Sequence, residues 1–515
     1  MLPRLFYALL IALCLVKFVV PQKQKNVLLI LADDGGFETG VYNNTVCQTP
    51  HLVELARRGV VFDRAFTSVS SCSPSRASLL TGLPQHQNGM YGLHQGVHNF
   101  QSFPQVRSLP GILAQHGIRT GIVGKKHVGP EVVYPFDFAH TEENNSILQV
   151  GRNITRIKHL VRKFLSANES KPFFLYVAFH DPHRCGHTHP EYGQFCEKFG
   201  DGSIPGMGHM PDWTPQRYEP ADVSVPYFVQ DTPAAREDIA AQYTTVGRMD
   251  QGIGLVLQEL EAAGFGDDTL VLFSSDNGVP FPSGRTNAYE PGIREPFIVY
   301  DPTRPGSAGK RSDAMVSLLD VTPTVLDWFG IQPPDYDIFG KPVILTGASV
   351  LPLVGADGGG EGASGEERAV FASHSLHEAT MYYPMRAVRS RGFKLIHNLG
   401  FKMPFPIDQD FYVSPTFQDI LNRTRQGRPL PWTKTLRCYY YRDQWELFDL
   451  DHDPREAVNL AKDPVHSAVL EALQTQLLKW QQITHDPWMC APDGVLQDSG
   501  LYKEHPHCFP LLNGL

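Results

Sequence analysis

The chain has 515 residues, 42% of them hydrophobic and 19% charged, a globular balance that excludes a disordered or fibrous protein and leaves room for a large core with an appendage. A formal net charge of −9 excludes general affinity for nucleic acid, which needs a basic stripe. Protonating all 21 histidines would carry that charge to −9 + 21 = +12, so an acidic compartment would reverse its sign and tolerate a polyanionic substrate.

In chain order, Met1-Leu2-Pro3-Arg4 makes a positive start, residues 5–15 are almost wholly apolar, and Lys17 breaks the run before Phe18. This is the shape of a cleaved secretory signal over residues 1–21; a membrane anchor wants about 18 uninterrupted apolar residues. No later run reaches that length, so no membrane anchor is expected. Five N-glycosylation triplets, at Asn43, Asn144, Asn153, Asn168 and Asn422, fit passage through the secretory pathway.

Four short apolar runs follow, at residues 26–32 (NVLLILA), 119–123 (RTGIV), 173–179 (FFLYVAF) and 269–274 (TLVLFS). Their hydrophobicity is continuous, which predicts strands covered on both faces, as in a parallel sheet. Helices lie between them: one opens at Thr49-Pro50 and stops at Gly59, one spans about 233–263, and one runs from Thr322-Pro323 to Gly330. The alternation predicts an α/β sandwich. Residues 355–365 (GADGGGEGASG) read as a surface loop or linker. Beyond them come strand-like pieces at 385–388 and 393–398 and an amphipathic helix at about 465–480. The domains expected are therefore 22–378 and a smaller 379–515, an antiparallel sheet carrying a helix.

Of the eight cysteines, Cys14 leaves with the signal. Closeness in sequence favours the pairs Cys185–Cys196 and Cys490–Cys508, whereas Cys47 and Cys438 read as free buried thiols.

Each apolar run ends in chemically capable residues: Asp33-Asp34, Lys125-Lys126-His127, His180-Asp181-Pro182-His183 and Asp276-Asn277. Ligands of open α/β sheets bind beyond the carboxyl ends of the strands, so these four ends should converge. Asp33, Asp34, Asp276 and Asn277 form an all-oxygen set that would repel itself without a cation and that suits Ca²⁺ or Mg²⁺. Singly, each motif is more often a turn; two of them at the ends of buried strands favour a metal. Cys72-Ser73-Pro74-Ser75-Arg76, with Gly82 as a stop, sets Cys72 at a helix N-terminus, where an anion would bind. A conventional thiolate nucleophile and a structural cysteine both remain open there.

The same five residues resemble the sulfatase signature Cys-x-Pro-Ser-Arg, whose cysteine is oxidised to formylglycine, and the other four motifs stand in that family's order. The likeness covers nearly the whole mature chain and is densest at residues 70–95 and 401–424. Gly124-Lys125-Lys126-His127 replaces the Gly-Lys-Trp-His of common O-sulfatases, which fits the branch that cleaves sulfur–nitrogen bonds. The resemblance implies an alkaline-phosphatase/sulfatase-like sandwich with a large mixed, mostly parallel sheet between helices. It implies a lysosomal hydrolase that removes the N-linked sulfate from non-reducing-end N-sulfo-D-glucosamine during heparan sulfate degradation; the alternative is an O-sulfatase on another glycosaminoglycan sugar.

It further implies one Ca²⁺ per subunit, held by Asp33, Asp34, Asp276, Asn277 and the modified Cys72. One hydroxyl of the hydrated aldehyde would attack sulfur and the other would then expel sulfate by carbon–oxygen cleavage, splitting a hard step into two. Arg76 and Lys125 are expected to stabilise the transferring group, His127 to assist proton transfer, and His183 to protonate the leaving amine. Arg285 and Asp181 are expected to hold the substrate, an oligosaccharide derived from heparan sulfate. A formylglycine-generating enzyme as partner and a homodimer are also implied. A phosphohydrolase of the same fold usually presents Ser or Thr as nucleophile, against Cys72, and a silent glycan-binding protein would not need the full set.

Overall fold

The computed structural model describes residues 25–167, 171–186, 191–355 and 368–510. The expected signal segment, Asn168 and most of the glycine-rich stretch lie outside the described residues. Eight strands form the main sheet: β1 Asn26–Ala32, β2 Val60–Phe66, β3 Arg119–Gly124, β4 Phe138–Thr141, β5 Phe173–Ala178, β6 Thr269–Ser275, β7 Arg294–Tyr300 and β8 Lys310–Ser317. Their order is β4-β3-β5-β1-β6-β7-β2-β8. Only β7 runs against the others of this sheet, pairing antiparallel with β6 and β2. The sheet is thus mixed and mostly parallel.

Continuous apolar sequence fills both faces of β1. Val27, Leu29 and Leu31 pack with the helices Cys72–Thr81, Leu109–Gln115 and Val321–Phe329. Leu28, Ile30 and Ala32 pack with Pro50–Arg58, Ile154–Leu165 and Pro233–Ala262. Such two-sided burial is what a mostly parallel sheet requires. Among the described residues, no helix is long and apolar enough to cross a membrane.

The second sheet is an antiparallel meander of Val370–His374, Met385–Arg389, Phe393–Asn398 and Trp445–Asp449. It takes in Val370–His374, ahead of the boundary expected at residue 379. Leu473, Leu477 and Trp480 of the helix Ser467–Ile483 cover one face, on Val388, Leu395 and Leu447. The other face packs Met385, Ala387 and Ile396 against Phe66, Tyr289 and Met315 of the main body. Disulfides join Cys185 to Cys196 and Cys490 to Cys508. Cys47 is free and buried; Cys438 is free but exposed, contrary to its expected burial, because the short helix Leu436–Tyr440 turns Tyr439 rather than Cys438 into the core.

β3 ends at Gly124, whose φ is +106°. A Cβ built there would lie 1.9 Å from the carbonyl oxygen of Ala178 on β5, so only glycine lets these strands close together and deliver Lys125. Gly124→Ala is expected to cost about 3 kcal/mol or more. A urea midpoint equal to that of the parent protein would contradict this close approach.

Candidate active site

β3, β5, β1 and β6 are neighbours, so their carboxyl ends deliver the four motifs to one place. Asp33 follows β1 and takes Lys125 Nζ at 2.5 Å and Arg76 Nη2 at 3.2 Å. Asp34 takes Arg285 Nη1 at 2.5 Å and Asn277 Nδ2 at 2.7 Å. Asp276 takes Arg76 Nε at 2.9 Å, together with the backbone N–H groups of Asn277 and Asp34. Asp33, Asp34, Asp276 and Asn277 are fully buried. Burial alone would raise Asp33, but Lys125, with His183 and Arg76, holds it well below the ordinary carboxylate range. Burial drives Asp34 upward, and the neighbouring Asp33 and Asp276 add to the rise.

Cys72 opens a ten-residue helix that Gly82 closes in the left-handed region. Its Sγ lies 3.9 Å from Asp34 Oδ1. Ser75 Oγ donates to the carbonyl of Asp276 at 2.5 Å, pinning the first turn to the end of β6. Burial pushes the Cys72 thiol well up, so an unmodified side chain here is a neutral thiol and a poor nucleophile. Asp34 and His127, at φ 57° and 56°, and Ser283 and Thr286, at 63° and 71°, hold left-handed backbone around the site. Such strain in non-glycine residues collects where side chains must be aimed.

A cavity of about 260 Å³ lies above this floor, lined by Cys72, Lys125, His127, His183 and Arg285, with His377 and Asp410 entering from beyond residue 370. Among the described residues, both ring nitrogens of His127 are buried without a hydrogen-bond partner. His183 Nδ1 stands 2.7 Å from the carbonyl of Arg184, so this nitrogen carries the proton. Nε2 then accepts from Arg285 Nη1 at 2.9 Å. Burial, then Lys125, keep the ring neutral; for an acid role Nε2 must gain a proton, which a bound anion would favour.

Two expectations are corrected. Asp181 is fully buried, with both oxygens taken by Arg248 at 2.7 and 2.8 Å and one also by Arg152, so it cannot hold substrate; it anchors the turn after β5. Arg76 does not line the cavity. Its guanidinium is spent on Asp276, Asp33, the Lys125 carbonyl and Tyr176. Arg285 does line the cavity, braced by Asp408 at 2.7 Å and by Asp410. Lys126 turns away to Glu131. Asp408, Asp410, His377 and Glu142 carried no motif of their own, although the first two fall in the stretch 401–424. The acceptor residues Asn43, Asn144 and Asn422 are exposed and Asn153 is half-buried.

A sulfatase model matches residues 25–331, more than half of the chain. The chain belongs to the sulfatase family. Sulfatases generally use a formylglycine and a divalent metal. The chain is 65% identical over 505 residues to human N-sulphoglucosamine sulphohydrolase, covering 98% of each. It is 25% identical to an ulvan-active sulfatase of Formosa agariphila over 89% of this chain and 75% of that one. Among solved structures, BT4656 in complex with its substrate D-glucosamine-2-N,6-O-disulfate aligns with a TM-score of 0.62 at 19% identity, over 90% of this chain and 99% of that one. The phosphonate monoester hydrolase of Agrobacterium radiobacter gives 0.60 at 19%, over 95% and 100%.

The donor set of this sulfatase fits a hard cation. Among the described residues, Asn277 Oδ1 is buried without a hydrogen-bond donor in the midst of three carboxylates. An acceptor stranded there is costly unless a positive ion takes it up.

Glu142 Oε1 lies 2.7 Å from His180 Nδ1 at the cavity wall, and burial lifts its carboxyl from 4.5 to about 7. Between those values the folded protein keeps a proton that the unfolded chain releases, so the contribution of Glu142 to stability is fully present below about 4.5 and is lost as pH rises through about 7. Glu142→Gln fixes the neutral form. It is expected to match the parent at about pH 5 and to exceed it by about 1–3 kcal/mol at about pH 8 in urea denaturation. A gap that does not change with pH would contradict the buried, raised carboxyl.

Proposed function

We propose that this sulfatase releases sulfate from the nitrogen of a non-reducing-end N-sulfo-D-glucosamine in oligosaccharides derived from heparan sulfate. The observation that carries the reading is 65% identity to human N-sulphoglucosamine sulphohydrolase over 98% of both chains. The geometry is compatible with it: the buried cations Lys125 and Arg285 line one cavity of about 260 Å³, a size that suits one sugar.

Asp33, Asp34, Asp276 and Asn277 would hold Ca²⁺, with residue 72 at its edge. Formylglycine at position 72 and that ion supply, when present, a hydrated aldehyde for attack on sulfur and a positive charge beside the sulfuryl oxygens. The remaining work falls to the chain. Arg285 and Lys125 receive the sulfonate, and Asp408 and Asp410 keep Arg285 aimed. An amine leaves poorly unless protonated, and His183, a cavity residue whose Nε2 is held by Arg285, is the group that protonates it once the bound sulfonate engages Arg285 and raises the proton affinity of the ring. His127, unpartnered at both ring nitrogens among the described residues, moves protons at residue 72. Maturation then calls for a formylglycine-generating enzyme, and the place of action is the lysosome, reached through the secretory pathway. A homodimer is part of the same reading.

Protein from a competent secretory host is expected to release inorganic sulfate from N-sulfoglucosamine and to carry the aldehyde at residue 72 by peptide mass spectrometry. Faster release from an O-sulfated N-acetylglucosamine would move the assignment to an O-sulfatase, and active protein holding only the thiol would end the formylglycine proposal. His183→Ala is expected to lose about 10²–10⁴-fold in rate on the N-sulfonate and much less on an aryl sulfate, whose leaving group needs little protonation. Equal losses on both would remove His183 from the acid role.

A further inference from the structure

His377 belongs to the segment after the strand Val370–His374, yet it reaches the reacting residue's neighbour. Its Nδ1 lies 2.8 Å from the Oγ of Ser71, which caps the helix that Cys72 opens. The segment is fixed to the main body by three further bonds. Leu93 N–H donates to the His377 carbonyl at 2.9 Å, Leu376 N–H to the Tyr91 carbonyl at 3.1 Å, and Ala379 N–H to His98 Nδ1 at 3.1 Å. The ring is buried, and it lines the same cavity as Cys72, His183 and Arg285. Burial and the nearby Arg285 keep it neutral. A neutral imidazole has one N–H and one lone pair; whichever Ser71 takes on Nδ1, the other kind is left on Nε2 for the cavity.

We infer that His377 is a specificity-determining residue that hydrogen-bonds an oxygen of the bound N-sulfoglucosamine through Nε2 while Ser71 sets its ring plane. This rests on the function proposed above and adds a recognition group from the segment that follows the strand Val370–His374. The two ring nitrogens can be tested separately, because an asparagine amide reaches the position of Nδ1 and a glutamine amide that of Nε2. Cys72→Ser serves as the parent protein that binds without turnover, titrated calorimetrically with N-sulfoglucosamine and with inorganic sulfate.

His377→Asn, which keeps the Ser71 contact, is expected to weaken N-sulfoglucosamine binding about tenfold. His377→Gln, which keeps the cavity contact, should stay within about twofold of the parent. A parallel drop on inorganic sulfate places the contact on the sulfonate, and unchanged sulfate binding places it on the sugar. Binding by the asparagine variant as tight as the parent's, or by the glutamine variant as weak as the asparagine variant's, overturns the inference, with thermal unfolding confirming that each variant is folded. Failure of Cys72→Ser itself to bind N-sulfoglucosamine defeats the functional reading first, and this inference with it.

Discussion

Three buried carboxylates answered by three buried cations hold the centre of this molecule together: Asp33 with Lys125, Asp276 with Arg76, and Asp34 with Arg285. None of the six could be left alone in such burial, where an unpaired charge costs several kcal/mol. The partners come from different elements: the carboxylates from β1 and β6, the cations from the helix Cys72–Thr81, the end of β3 and the loop after β6. Charge balance is therefore reached only once β3, β5, β1 and β6 lie in their order in the sheet and the helix Cys72–Thr81 is docked on it. The Arg152–Asp181–Arg248 clamp behind the end of β5 follows the same rule. A stranded Asn277 Oδ1 amid this balance marks where the protein's own groups stop short.

The parts legible in the sequence are those set by local pattern. β1, β3, β5 and β6 announce themselves as unbroken apolar runs, and because they are adjacent, the motifs at their ends had to meet. β2, β7 and β8 did not announce themselves, for identifiable reasons. Asp63-Arg64 interrupts β2, where the pairing shifts register. Pro296 sits inside β7, and β8 begins with charged, alternating residues at the sheet's edge. These are the strands whose faces or edges meet other parts of the chain, so their sequences answer to tertiary contacts as much as to the sheet.

Site residues divide along the same line. A motif states which residue types are present but not which of them face the ligand. Asp181 and Arg76 sit inside motifs and proved to be braces, since four guanidinium contacts bury Arg76 and two arginines enclose Asp181. His377 and Asp410 sit in no motif and border the cavity, with Asp408 behind them on Arg285, because the second sheet docks beside the helix of Cys72. Nothing local to residues 377 or 408–410 encodes that docking; the apolar contact of Met385, Ala387 and Ile396 with Phe66, Tyr289 and Met315 does.

The cavity's charge is layered, and the layering bears on what can enter. Lys125 and Arg285 are nearly inaccessible at the base, whereas Glu143 is exposed and Glu378 partly so among the residues that line the same space. A single sulfonate gains by reaching the base, where low polarity strengthens its attraction to both cations. A chain densely sulfated along its length gains nothing from the acidic outer wall, and like charges there oppose it. The cavity thus sets its buried cations, Lys125 and Arg285, apart from the more exposed carboxyl groups of Glu143 and Glu378 in the same lining.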